Sequence, residues 1–174
     1  FLARWRDVIL GVLSDARIAA NPELAEYREL VQNWIPRATP ESVGYRLVRA
    51  FRLEVQSRVF HALMAPVRAA NGGDVEPLLS NQFEGVLWQL LSERPQHLLP
   101  GAYASWDDLL LDAIRTNVAW FGEHYEGGLA QRSWGEINTA SIRHPLSRAL
   151  PMLSPLLDMP AEPLNGDVDL PKAQ

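Results

Sequence analysis

The sequence predicts a mainly α chain: about five antiparallel-packed helices, then a short strand and an extended proline-rich tail. Three observations carry that expectation. Apolar residues recur at three- and four-residue spacing through the first 131 residues. Helix start and stop signals separate those stretches. From residue 132 the helical period disappears, and six of the 13 prolines lie at or after Pro145. The expected division is a helical subdomain over 1–131 and a strand plus extended segment over 132–174.

Leu2, Trp5, Ile9, Val12, Leu13 and Ala16 form an apolar stripe on a first helix over 2–18. Asn21-Pro22-Glu23 opens a second. Asn21 suits the capping of free amides, Pro22 the first helical position, and Glu23 the positive helix end. Its stripe is Leu24, Tyr27, Val31 and Trp34, and it stops at Ile35-Pro36. Thr39-Pro40-Glu41 repeats the start logic for a longer helix with Val48, Phe51, Val55, Val59, Ala62 and Leu63 inward, running to about Pro66. After the turn Asn71-Gly72-Gly73, Asp74 is placed to cap a fourth helix. Leu79, Phe83, Val86, Leu87, Leu90 and Leu91 stripe it, and it should end before Pro95. Past the turn Pro100-Gly101, Ser105-Trp106-Asp107-Asp108 reads as a capping box. The fifth helix buries Leu110, Ile114, Val118 and Phe121 and closes at Gly127-Gly128. Ile137 through Ile142, rich in Thr, Ser and Ile, is expected as one short strand. The tail beyond Pro145 must be extended and irregular. It cannot bury itself and is expected to lie against a larger body.

Composition narrows the functional classes. At 174 residues the chain fits one domain or large subdomain with a real core, and 47% hydrophobic content argues against disorder. A net charge of −5 opposes a general attraction to nucleic acid or to anionic membrane. The absence of cysteine excludes a disulfide framework and thiolate metal sites. No apolar run reaches the roughly 18 residues a membrane span needs. Phe1 is not an initiator residue, so further sequence is expected upstream.

Several constellations invite a chemical reading and each has a plainer one. Asp107, Asp108 and Asp112 resemble a carboxylate cluster, but an exposed first turn supplies nothing to separate their pKa values, so capping and helix-dipole roles are expected. Glu123-His124-Tyr125-Glu126 lacks the three- or four-residue spacing of helical metal ligands, and His61, His97, His124 and His144 are scattered. Arg46, Arg49, Arg52 and Arg58, interleaved with Glu54 and preceded by Glu41, are expected as a solvated or salt-bridged face rather than a phosphate site. Trp5, Trp34, Trp88 and Trp120 lie on or beside apolar stripes and are expected in the core, while Trp106 and Trp134 are less constrained. No Gly-x-Ser-x-Gly elbow, phosphate loop or dinucleotide fingerprint occurs. Nothing in these residues assembles a nucleophile, a base and an oxyanion hole, so no catalytic, cofactor-binding or metal-ligating residue is assigned.

One set of residues carries more. Trp134-Gly135, Asn138, Arg143-His144-Pro145-Leu146 and Pro163-Leu164-Asn165-Gly166-Asp167, with the linker Leu150-Pro151-Met152-Leu153 between them, resemble by order and spacing a part of the penicillin acylase (penicillin amidase) family. That family includes acyl-homoserine lactone and cephalosporin acylases. The stretch from Leu24 to Leu63 is similar in style to the family's preceding region. After Gly166-Asp167 the family continues with an Asn- or His-Thr pair and an apolar strand, whereas Val168-Asp169-Leu170-Pro171 stands here. The resemblance implies an αββα N-terminal-nucleophile hydrolase, made as a self-cutting precursor that exposes a serine whose own α-amine acts as base. The implied chemistry is acyl transfer from an amide, through an acyl-enzyme, to water. The family's serine, oxyanion asparagine and calcium ligands lie upstream of the matched residues, so none is carried onto this chain, and no cofactor is expected in it. Phe1 has no hydroxyl beside its amine. His144, beside Pro145, is expected to make a structural hydrogen bond. Periplasmic or secreted localisation is what the family suggests.

Three readings are open. In the first, the chain is an internal helical segment of such an amidase, partnered by the remainder of its own α/β precursor, with a small acyl-amide as the parent's substrate and neither nucleic acid nor membrane. In the second, it is a self-standing helical binding or scaffold module. Its tail from 145 would then pack on its own helices beside a large apolar groove. In the third, it is a compact hydrolase in which His124 or His144 meets a Ser or Asp in a cleft, with Ser141 and Ser147 nearest in sequence.

Overall fold

The computed structural model describes residues 1–72 and 83–167. Helix α1, Leu2–Val12, buries Leu2, Trp5, Ile9 and Val12. It does not run on to residue 18. Ser14 accepts the amide of Arg17 at 3.4 Å and starts α2, Asp15–Ala20. A capping serine inside the stripe thus divides the expected helix in two. Asn21 also departs from its expected role. Its Nδ2 donates to the carbonyl of Arg17 at 2.7 Å, so it closes α2 and does not cap the next helix. Pro22–Leu24 forms a single 3-10 turn leading into α3, Ala25–Gln32.

Helix α4, Val43–Ala70, is the central element and packs against α1 and α3. It begins three residues later than Pro40, because Ser42 accepts the amide of Tyr45 at 3.1 Å. It passes through Pro66 and ends at Asn71. The missing proline amide costs one hydrogen bond on an exposed final stretch, which is not enough to stop the helix there. Gly44 is required where α3 meets α4: a Cβ on it would stand 2.7 Å from the carbonyl oxygen of Leu30 and against Trp34. Asp74 and Leu79 lie outside the described residues. Helix α5, Phe83–Glu93, packs on α4 and ends where Arg94 takes a left-handed conformation, φ 50°, before Pro95. Val86, expected inside, is exposed.

Helix α6, Trp106–His124, is capped as expected at Ser105, whose Oγ accepts the amide of Asp108 at 3.2 Å. The return bond differs from a full capping box, since the serine hydroxyl donates to the Asp108 carboxylate at 2.8 Å. The helix lies along α4 and α1 and buries Leu109, Leu110, Ile114 and Phe121 in one continuous core with Trp5, Ile9, Tyr27, Phe51 and Val55. Trp106 and Trp134 are both buried there. Trp120, expected inside, is 42% exposed and stacks on His124 with ring centres 4.6 Å apart.

After α6 the chain passes through 3-10 turns at Leu129–Gln131 and Trp134–Glu136. The strand expected over Ile137–Ile142 is only Thr139–Ala140, β1. It pairs antiparallel with β2, Glu162–Pro163, with Thr139 opposite Pro163 and Ala140 opposite Glu162. Between the strands the chain is not simply extended. It forms α7, Pro145–Ala149, a 3-10 turn at Pro151–Leu153, and α8, Ser154–Leu157. Each of these starts with a proline in its first turn, where a missing amide is harmless.

Candidate functional site

Helix α4 places Tyr45, Arg49 and Arg52 at positions i, i+4 and i+7, so they lie on neighbouring turns of one face. Tyr45 donates its hydroxyl to Asp167 Oδ2 at 2.8 Å, and Arg49 Nε donates to the same oxygen at 2.6 Å. Asp167 is buried, so this carboxylate is held by charge-assisted bonds away from water. Next to it, Trp134 Nε1 donates to the carbonyl of Gly166 at 2.9 Å. Asn138 Nδ2 donates to the same carbonyl at 3.0 Å and to that of Leu164 at 2.6 Å.

Backbone bonds complete the clamp. The amides of Trp134 and Gly135 donate to Ser42 and Pro40, and the amide of Gly166 donates to Ala38 at 2.8 Å. Gly135 fits because a Cβ there would stand 3.0 Å from side-chain carbons of both Pro40 and Pro163. Gly166 has φ 83°, a left-handed turn that glycine adopts without penalty. The structure therefore gathers Trp134, Gly135, Asn138, Gly166 and Asp167, which the sequence showed only as an ordered series, into one contact region on α4. Of its other half, Tyr45 had no sequence signal, and Arg49 stood in the sequence only as one member of an arginine face. Their partner lies 122 and 118 residues away.

Of the two forms expected for the arginine face, the salt-bridged one is found. Arg46 and Arg52 are each 3% exposed. Arg46 pairs with Glu136, which Arg132 also binds at 2.9 Å, and its guanidinium lies over the rings of Phe121 and Tyr125. Arg52 Nε meets Glu84 at 3.1 Å, whose other oxygen accepts Trp5 Nε1 at 2.8 Å. Arg58 joins Glu54, Tyr103 and Asp112. Its guanidinium holds the Asp112 carboxyl below its ordinary range, while desolvation raises the Tyr103 hydroxyl. Asp112 is thus an ion-pair partner rather than a cap. Asp107 takes Arg94 at 2.9 Å.

The chemistry-bearing groups are turned to structural use. Ser147, Asp158 and His144 do come together, but Ser147 Oγ donates to the His144 carbonyl at 2.7 Å and to Asp158, not to the imidazole. His144 Nδ1 accepts the amide of Leu146 at 3.1 Å and caps α7. His124 Nδ1 meets the Trp120 carbonyl at 2.9 Å, and His61 meets Ser57 of the preceding turn. The Ser57 hydroxyl does reach His61 Nδ1, at 3.1 Å, but that nitrogen also lies 2.7 Å from the Ser57 carbonyl, to which it must donate, so it cannot serve the serine as a base. Among the described residues, no three His, Asp or Glu side chains gather as a metal-ligand set. No helix there is long and apolar enough to cross a membrane.

Two concave surfaces adjoin the clamp. Leu30, Trp34, Ile35 and Val43 line a groove of about 690 Å³ between the end of α3 and the start of α4. Arg49, Leu53, Trp120, Tyr125, Trp134 and Ile137 line a smaller cleft of about 180 Å³.

Comparison with known proteins identifies a family. A family model described as penicillin amidase matches residues 3–174. A search of curated proteins returned no match. The match spans nearly the whole chain and includes every residue of the clamp, and on that ground the chain belongs to the penicillin amidase family.

Proposed function

We propose that this chain is a helical supporting segment of an amidase that hydrolyses a non-peptide carbon–nitrogen amide bond, of the penicillin or acyl-homoserine lactone type. On this reading the chain does not itself carry the catalytic serine. Residues 1–131 are the supporting subdomain, and residues 132–174 lead into the remainder of the α/β precursor. The reacting serine and its amine stand on that remainder, and this segment buttresses the body that bears them.

One observation carries the reading. The residues that are specific to the family motif are used to fix backbone: Trp134 and Asn138 hold Gly166, and Tyr45 and Arg49 hold Asp167. A clamp of buried, saturated hydrogen bonds positions a chain segment rigidly and leaves no free acid, base or nucleophile at its centre. The groove beside Trp34 favours a second reading, a self-standing helical binding module.

The two readings part in a simple assay. The 174-residue chain, offered phenylacetyl and longer acyl amides of a chromogenic amine, is expected to release no amine above the buffer rate. The complete precursor is expected to release it. Turnover by the 174-residue chain contradicts the supporting role, and an inert precursor favours the binding module.

A further inference from the structure

We propose that Asn71 is a site of spontaneous deamidation, and that the clamp keeps Asn165, in the same dipeptide, from the same reaction. Asn-Gly occurs twice in the chain, at Asn71-Gly72 and at Asn165-Gly166.

The chemistry is intramolecular. The backbone nitrogen of the glycine gives its proton to hydroxide and attacks the side-chain amide carbon of the asparagine. A bond forms between the glycine nitrogen and Cγ, the Cγ–Nδ2 bond breaks, and ammonia leaves with a proton taken from water. Water then opens the five-membered succinimide at either carbonyl, giving aspartate or isoaspartate. Glycine favours ring closure because no Cβ crowds the attacking nitrogen. The step needs a glycine nitrogen open to water, an amide proton not held in a buried hydrogen bond, and a peptide link free to turn toward the side chain.

Asn71-Gly72 meets these conditions. Both residues are exposed, just beyond the end of α4. Asn71 donates its own amide to the Val67 carbonyl at 3.1 Å, but the attacking amide is that of Gly72, which donates to no carbonyl among the described residues. Gly72 has φ 70°, and a Cβ built on it would meet nothing within 4 Å, so the space around the turn is open. The product places a carboxylate at the C-terminal end of α4, where the helix dipole opposes negative charge.

Asn165-Gly166 fails them, although Asn165 itself is also exposed. Gly166 is buried and its N–H donates to the Ala38 carbonyl at 2.8 Å. Loss of that proton would strand the Ala38 carbonyl and set a negative charge one residue from the buried Asp167 carboxylate. The link is pinned on both sides. The Leu164 amide donates to the Asn138 carbonyl at 2.7 Å and the Leu164 carbonyl accepts Asn138 Nδ2 at 2.6 Å. The Gly166 carbonyl accepts Trp134 Nε1 and Asn138 Nδ2.

Incubation of the 174-residue chain in mildly alkaline buffer tests this, with peptide mass and isoaspartate methyltransferase labelling as the readouts. Asn33 is exposed but followed by Trp34, and it sets the background. Asn71 is expected to convert at least about ten-fold faster than either Asn165 or Asn33. In concentrated urea the two Asn-Gly sites should converge while Asn33 stays slow. Asn138→Ala, which removes two of the bonds that pin the link, should speed Asn165 several-fold and leave Asn71 unchanged. Conversion of Asn165 in step with Asn71 in the folded chain overturns the proposal, as does an Asn71 no faster than Asn33. A difference between the two sites that survives in urea assigns it to flanking sequence and overturns the guarding role, and so does an unchanged Asn165 in Asn138→Ala.

Discussion

The helical body and residues 142–163, a strap whose ends are joined by β1 and β2, solve the same problem in opposite ways. The body sends Trp5, Ile9, Phe51 and Ile114 inward and admits charge only where it is paired, as in Arg52 with Glu84. The strap turns Leu150, Met152 and Leu156 outward and organises itself around the Asp158 carboxylate. A body of packed helices has enough apolar surface to bury within itself. A segment of two short helical turns does not, so its local order comes from hydrogen bonds while its apolar side chains stay exposed. The folding energy of this chain therefore resides in the body, and substitutions in the two regions should have unequal effects on stability.

The largest effect belongs to the body. Trp5→Ala removes a fully buried ring that packs edge-on against Phe51 at 5.9 Å and beside Trp88, and it takes a donor from Glu84. Chemical denaturation of the 174-residue chain should show a loss of about 4 kcal/mol. A loss under about 1 kcal/mol would mean that the core is not centred on this residue.

The clamp between the two regions comes next. Asp167→Asn keeps the shape but removes the charge that Arg49 and Tyr45 hold, and should cost about 2 kcal/mol. If the clamp is what seats the segment, amide exchange at Gly166, whose N–H binds Ala38, should accelerate in the same variant. Unchanged exchange there would separate Asp167 from the seating of the backbone.

The strap should be nearly silent by the same measurement. Met152→Asp with Leu156→Asp is expected to shift the stability of the 174-residue chain by no more than about 0.5 kcal/mol, because neither side chain is packed in it. A loss comparable to that of Trp5→Ala would erase the contrast between the regions.

The smallest effect is local and pH-dependent. Hydrogen bonds from Ser147, then Ser154 and the His144 amide, hold the Asp158 carboxyl down to about 2. Its folded value lies below the ordinary one near pH 4, so the ionised form favours the ordered strap. That contribution is complete above about pH 4 and is lost as pH falls toward about 2. Exchange protection of the His144 amide, 2.9 Å from Asp158, should fall across that window by NMR. It should be independent of pH there in Asp158→Asn.

Much of the body was legible in the sequence. The stripe Trp5, Ile9 and Val12, the cap at Ser105 and the stop before Pro95 are local features, and the structure carries each of them. Local signals with two outcomes were the misleading ones. Ser14 reads as a tolerable helix residue or as a cap, and Pro66 as a stop or as a passenger in an exposed last turn. Proline in the tail argued for extended chain, yet Pro145, Pro151 and Pro155 each sit in the first turn of a short helical piece, where proline fits. The site was half legible. Trp134, Gly135, Asn138, Gly166 and Asp167 stood out as a series, while Arg49 was one of four arginines whose burial no spacing rule reveals and Tyr45 carried no signal.

Neighbouring positions in the sequence were enough to set the long helices of the body, the Ser105 cap and the family motif, because hydrogen bonds that close within four residues and a 3.6-residue apolar period are written there. Tertiary structure alone decided which charges go inside. Arg46 meets Glu136 across 90 residues, Arg49 meets Asp167 across 118, and Arg52 meets Glu84 across 32. Whether a charge is a solvated ornament or a buried anchor depends on the distance to its counter-charge and on the water excluded between them. Both are properties of the folded space rather than of the chain order.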